Sequence, residues 1–165
     1  MIIKTESQTL ADVYADVRKM TKFYFSKIKD TDLSKRFEIN DQKFNSAHWL
    51  MAHLVWTEDG LLIKSLTGES SGIPWVNSVK LGSDPDNAIL PPIDEIIAAL
   101  DATHKKALDN IRALTVENLE EKTHTGLVFG GADSKRNIIH HAIRHEPMHI
   151  GHLGWIAKMN GIKII

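Results

Sequence analysis

The run His141-Ala142-Ile143-Arg144-His145-Glu146-Pro147-Met148-His149-Ile150-Gly151-His152-Leu153 carries four of the nine histidines in the chain. On a helix, where successive residues turn by about 100°, His141 and His149 lie about 40° either side of His145 and His152 about 20° from it. All four share one face. Ile138, Met148, Ile156 and Met159 fall on the same stripe, so this is the stripe expected to point inward. His140 falls about 140° away and is expected to be exposed. Burying imidazoles costs about 1–3 kcal/mol for each unsatisfied nitrogen. A metal compensates directly, because neutral imidazole is a good ligand and an i, i+4 pair stacks two rings one turn apart. His145 and His149 form that pair.

A third ligand has to come from another helix. Ser46 to about Thr67 reads as one, with Leu50, Leu54, Thr57 and Leu61 on its buried face, Ser46 as N-cap and Gly68 past its end. His53 stands at the edge of that face, whereas His48, five residues earlier, points about 140° elsewhere as an outward or interhelical hydrogen-bonding residue. The expected metal site is therefore His53, His145 and His149. Pro147, between two of the ligands, deletes a backbone hydrogen bond, and a kink is expected there, with the freed Ile143 carbonyl beside the metal.

Two further helices complete an all-α, four-helix bundle. One runs from about Ser7, its expected cap, to Lys29, with Leu10, Val13, Val17, Met20, Tyr24 and Ile28 as its buried stripe. Another starts at Pro91-Pro92 and continues through Ile93, Ile96, Leu100, Ala107, Ile111 and Leu114. The histidine helix itself opens at Ser134 and stops at Asn160-Gly161. The stretch after Gly68, with Gly72, Pro74, Gly82 and Pro85, is too long for a tight hairpin and long enough to let the second and third helices run parallel. Thr115 to Asp133 reads as another long loop, hairpin-like around Thr125–Phe129. The whole chain, 1–165, is expected to form one domain.

Charge narrows the function classes. Lys plus Arg number 20 against 21 Asp plus Glu, a formal charge of -1, and the basic residues occur at most in pairs, so no phosphate-tracking surface is expected and nucleic acid is not a partner. The chain lacks cysteine, which removes thiolate ligands and a cysteine nucleophile. The polar start, Ile3-Lys4-Thr5-Glu6, and the absence of a run of about 18 apolar residues point to a cytoplasmic protein with no membrane partner.

The segments Ala47-His48-Trp49-Leu50-Met51-Ala52-His53-Leu54-Val55-Trp56 and His141 to Leu153 resemble the helix-two and helix-four motifs of the DinB/YfiT-like superfamily of metalloenzymes. The resemblance implies an up-down-down-up bundle and a metal held by His53, His145 and His149. His152 stands where the family often has glutamine, which raises a fourth ligand or a different hydrogen bond as alternatives. Similar proteins include thiol-dependent transferases and isomerases using low-molecular-weight thiols, and many are homodimers.

Three neutral imidazoles leave a divalent ion its full charge and an open position. Nickel, zinc and iron all suit the set, and the expected activity is a thiol-dependent S-transferase or a hydrolase acting on a small molecule. A non-catalytic metal-binding stress-response bundle is the alternative. Glu146, Glu58, Asp59 and Tyr14 are base candidates by neighbourhood only; the carboxylates read as solvated charges or as partners at a helix interface. His141 and His152 share the ligand face and are the expected catalytic residues, orienting a ligand or carrying a proton. Trp49 and Trp56 flank His53 at about 40° and 60°, as core or as pocket wall.

Overall fold

The computed structural model describes residues 3–164. Helix α1 spans Glu6–Ile28 and is capped by Thr5, not Ser7: the Thr5 hydroxyl accepts from the Gln8 backbone while the Gln8 side chain returns to the Thr5 N–H. Ser7 is instead buried in the first turn, where its hydroxyl donates 2.6 Å to the Leu114 carbonyl. A small antiparallel hairpin follows, β1 (Glu38–Ile39) and β2 (Gln42–Lys43), an element the sequence pattern does not announce. Its turn residues Asn40 and Asp41 both have positive φ, the backbone that short polar side chains tolerate best.

Helix α2 spans Ala47–Glu58 from the Ser46 cap. It passes without a break into a π-helical stretch, Asp59–Lys64, and a last turn α3, Ser65–Thr67, which Gly68 ends at φ 88°. The long connection contains two 3-10 turns, Val76–Val79 and Pro85–Asn87. Helix α4 is Ile93–Arg112, α5 is Val116–Glu120 and α6 is Lys135–Met159 with Ser134 as its cap. The region expected to be hairpin-like, Thr125–Phe129, contains no strand. The helix α6 continues through Pro147; the proline lies on the exposed side, where its missing N–H removes one bond from the outer ladder. Among the described residues no helix is long and apolar enough to cross a membrane.

The four long helices close into a ring in which α1 and α2 each pack on both α4 and α6. Side-chain contacts give their directions. His48 bonds Pro91, Glu58 meets Thr103 and His104, and Asn110 reaches Leu62, so α2 and α4 run parallel. Ser7 meets Leu114 and Arg18 meets Leu100, so α1 opposes α4. Arg136 pairs with Glu6 and Glu146 with Arg18, so α1 and α6 run the same way. Farther along, Gly154 admits the ring of Tyr24, which a β-carbon there would meet at 3.2 Å.

The core is divided in two. One apolar half gathers Ile28, Leu50, Met51, Leu54, Leu100 and Leu153, and the other Ala11, Leu61, Leu62, Ile111, Ile139 and Ala142. Between them lies a polar layer. Arg18, only 2% exposed, donates from Nε to Glu146 at 2.7 Å and lies 3.2 Å from Glu58, and its third contact is the Leu100 carbonyl. Thr21 also donates to Glu146, and Thr103 and His104 contact Glu58 at 2.6 and 2.8 Å. This layer turns α1 away from its expected orientation. Its buried stripe is Ser7, Ala11, Tyr14, Arg18, Thr21 and Ile28, whereas Val13 and Met20 are 44% and 53% exposed. Apolar residues alone point to the wrong face because the true face is partly polar.

Removing one partner of a buried ion pair strands the other charges at a cost of about 3–5 kcal/mol. Arg18→Met should therefore lower unfolding free energy by about that amount in urea titration, because two carboxylates lose their cation. A loss below about 1 kcal/mol would contradict this account of the layer.

Candidate metal centre

Helix α2 supplies His53, 3% exposed, from a segment buried on nearly every side. Its Nδ1 lies 2.7 Å from the Val79 carbonyl. A carbonyl can only accept, so Nδ1 carries the proton and Nε2 presents a lone pair. The ring is stacked between Trp49 and Trp56, with centroids 4.7 and 5.4 Å away. These tryptophans thus clamp the imidazole itself. Nothing in the sequence points to Val79, because it reaches the ring from the long connection after α3.

Helix α6 supplies the other two rings. His145 and His149 face one another through Nε2 at 3.3 Å, and their ring centroids lie 5.9 and 5.0 Å from that of His53. One ligand atom from each of the three lies within 4.8 Å of the others. The donor set fits a divalent ion: two nitrogens about 2.0–2.1 Å from one tetrahedral metal are about 3.3 Å apart. These three residues could therefore hold a metal ion.

The electrostatics favour uncharged ligands. Burial pushes His149 down to about 3, with the charges of His145, His53 and His152 acting in the same direction. Burial likewise pushes His145 down to about 4, and burial lowers His53 despite its bond to Val79. Neutral imidazole is the metal-binding form, so no proton need leave these rings at neutral pH.

The remaining histidines separate by position. His152 is exposed, contrary to its expected place on an inward stripe, and its Nδ1 sits 3.3 Å from Nδ1 of His149, on the side of that ring away from His145. It therefore joins the site behind a ligand, not among the three converging nitrogens. His141 is half-buried, its ring 5.6 Å from that of His145 and stacked at 3.9 Å on Phe129 from the long loop. Burial lowers its pKa, aided by Arg144. The partner Phe129 has no helical or strand register to reveal it. His48 bonds the Pro91 carbonyl at 2.8 Å, and His140 is half-buried, not exposed. Met148, expected on the inward stripe, is 55% exposed.

None of the carboxylates near the site is a solvated charge. Glu58 and Glu146 are committed to Arg18, and Asp59 accepts from the Ser71 backbone. Burial pushes the Glu146 carboxyl up, but Arg18, with hydrogen bonds from Thr21 and Tyr14, outweighs it and holds the group below the ordinary range. Arg18 is the residue the sequence pattern overlooked, although it shares the helical stripe of Ala11, Tyr14 and Thr21.

On the opposite side a cleft of about 560 Å³ reaches His149 and His152 from outside. Hairpin residues Ile39, Lys43 and Phe44 form one wall, and Trp155, Ile156 and Met159 of α6 another.

No curated protein matches the chain. Residues 9–153, which include all three converging histidines, match the family described as the DinB superfamily, and the chain belongs to it.

Proposed function

We propose that this protein is a metal-dependent enzyme acting on a small molecule, with one divalent ion, nickel, zinc or iron, held by His53, His145 and His149. The observation that carries this reading is the meeting of three uncharged rings, one of which, His149, also lines an open cleft. A purely structural site has no need of such an approach. When bound, the ion supplies Lewis acidity that makes a thiol or water more acidic.

Between the two activities expected, thiol-dependent S-transfer is favoured. Among the described residues no carboxylate lines the cleft, and Glu58 and Glu146 are held by Arg18. Activation of water therefore lacks the usual carboxylate base. A thiol, being more acidic than water, needs less help, and a low-molecular-weight thiol is the proposed co-substrate. The apolar walls, Phe44, Leu50, Trp155, Ile156 and Met159, suit an electrophile with an apolar body. His152 accepts from or donates to the back of His149 and so orients it. His141, whose ring lies 5.6 Å from that of His145 and whose pKa burial lowers, is the ring proposed to receive the proton. The exposed α1 residues Val13, Met20 and Phe23 support the further proposal that two copies associate as a homodimer.

Three outcomes are expected. Purified protein should carry about one metal per chain in elemental analysis, and His149→Ala and His53→Ala should each lose it, since two ligands hold a divalent ion poorly. Retention in both variants would sink the assignment.

The second concerns pH. Because His145 and His149 have folded pKa values of about 4 and about 3, below the value near 6.5 of an unfolded histidine, the folded metal-free chain binds fewer protons in that interval. Its stability is fully present above about pH 6.5 and is lost as pH falls through the folded values. Urea midpoints of chelator-treated protein should therefore drop between pH 7 and 4, and a His145→Ala, His149→Ala double variant should show a shallower drop.

The third concerns the cleft. Trp155→Ala, at an exposed wall, should raise KM for an apolar electrophile several-fold while leaving metal content unchanged, measured by steady-state thiol conjugation.

A further inference from the structure

Two of the three rings have an identified partner on the nitrogen that faces away from the common point. His53 gives Nδ1 to the Val79 carbonyl, and His149 places Nδ1 against His152. The ring of His145 faces His149 through Nε2, which leaves its Nδ1 on the other side. There the ring lines a cavity of about 10 Å³, together with Tyr14, Thr57, Glu58 and Glu146. That volume accommodates a single water molecule, and the lining offers the two to four polar groups a buried water needs.

The charge in the layer points the same way. One guanidinium, Arg18, faces two buried carboxylates, Glu58 and Glu146. Among the described residues, no lysine or second arginine pairs with Glu58 or Glu146, and the half-buried His104 contacts Glu58 through a ring nitrogen. Such an arrangement is costly where its only purpose is stability, since well-packed apolar side chains usually serve as well or better. A divalent ion held by His145 would supply the missing positive charge at short range.

We infer that the Arg18–Glu58–Glu146 layer is the outer support of the metal centre, with one buried water in the Tyr14-lined cavity linking His145 to the carboxylates. Glu146 and Tyr14 are then positioning residues: they hold His145 in the tautomer whose Nε2 is free for the ion. Glu146 follows His145 directly in the chain, and its clamp to Arg18 and Thr21 fixes the turn of α6 from which His145 projects. This inference rests on the metal-dependent reading above.

The test uses Co(II) as the metal, with affinity measured by chelator competition and the ligand field read from visible absorption. Glu146→Gln and Tyr14→Phe are compared with Ile111→Ala, which lies in the apolar half and bonds to no member of the ion-pair layer. Both layer variants should weaken Co(II) binding about 10–100-fold and shift the absorption bands, the size of effect seen when a ligand histidine loses its partner. Ile111→Ala should lower stability yet leave affinity and spectrum unchanged, which separates positioning from mere folding. Should Glu146→Gln fail to fold, Tyr14→Phe still decides. Wild-type affinity and spectrum in the layer variants would overturn the inference while leaving the metal centre standing. Failure of the unaltered protein to bind Co(II) would overturn both.

Discussion

A guanidinium placed among four helices governs this structure. Arg18 comes from α1, and its partners are Glu146 on α6, Glu58 on α2 and the Leu100 carbonyl on α4. Each bond is directional, so the layer fixes the axial register of the helices more sharply than apolar packing does, since interdigitated aliphatic side chains tolerate small slides. Register matters because His53 sits six residues before the start of the π-helical segment that continues α2, and His145 and His149 sit either side of Glu146 on α6. Sliding α6 by one turn, about 5.4 Å, would leave at most one of these two rings beside His53. Placing the ion pair at the same level as the histidines makes the polar layer and the candidate site a single construction.

The same layer explains which parts of the fold were legible in the sequence. The four long helices were readable from periodicity and caps: Ser46, Gly68, Ser134 and the Asn160-Gly161 stop all sit where side-chain capping and glycine rules put them. The buried face of α1 was not. Its apolar residues Val13, Met20 and Phe23 lie outward, while Arg18 and Thr21 lie inward. Reading hydrophobicity alone assumes that burial follows polarity, and that assumption fails wherever a buried charge finds full hydrogen-bonding partners. The hairpin at Glu38–Lys43 was missed for a different reason: each strand is two residues long, too short for an alternating pattern to register.

The histidines divide along similar lines. Spacing alone anticipates that His53, His145 and His149 converge, because the i, i+4 pair and one residue on a neighbouring buried face are features of helical geometry. What supports those rings was invisible, since Val79 and Phe129 reach them from loops that have no repeat to extrapolate. His152 shows the limit of a helical wheel. It lies within about 20° of His145 in projection, but its ring is exposed at the cleft, while Ile156, one turn farther along the same face, is buried. The angle gives the face, and only packing gives the depth.

The two sides of the candidate centre are built for different tasks, and the contrast bears on the chemistry. Toward the interior, His145 meets a cavity that admits one water and is bounded by carboxylates already engaged. Toward solvent, His149 meets a wide cleft whose walls are mainly aliphatic and aromatic. The cleft is the wider of the two approaches. An ion held by His53, His145 and His149 would have neutral rings and apolar walls on its cleft side and, on its inner side, a layer in which two carboxylates share Arg18. The candidate centre therefore joins two unlike environments across one turn of α6, an engaged polar layer behind His145 and an apolar, solvent-connected wall before His149.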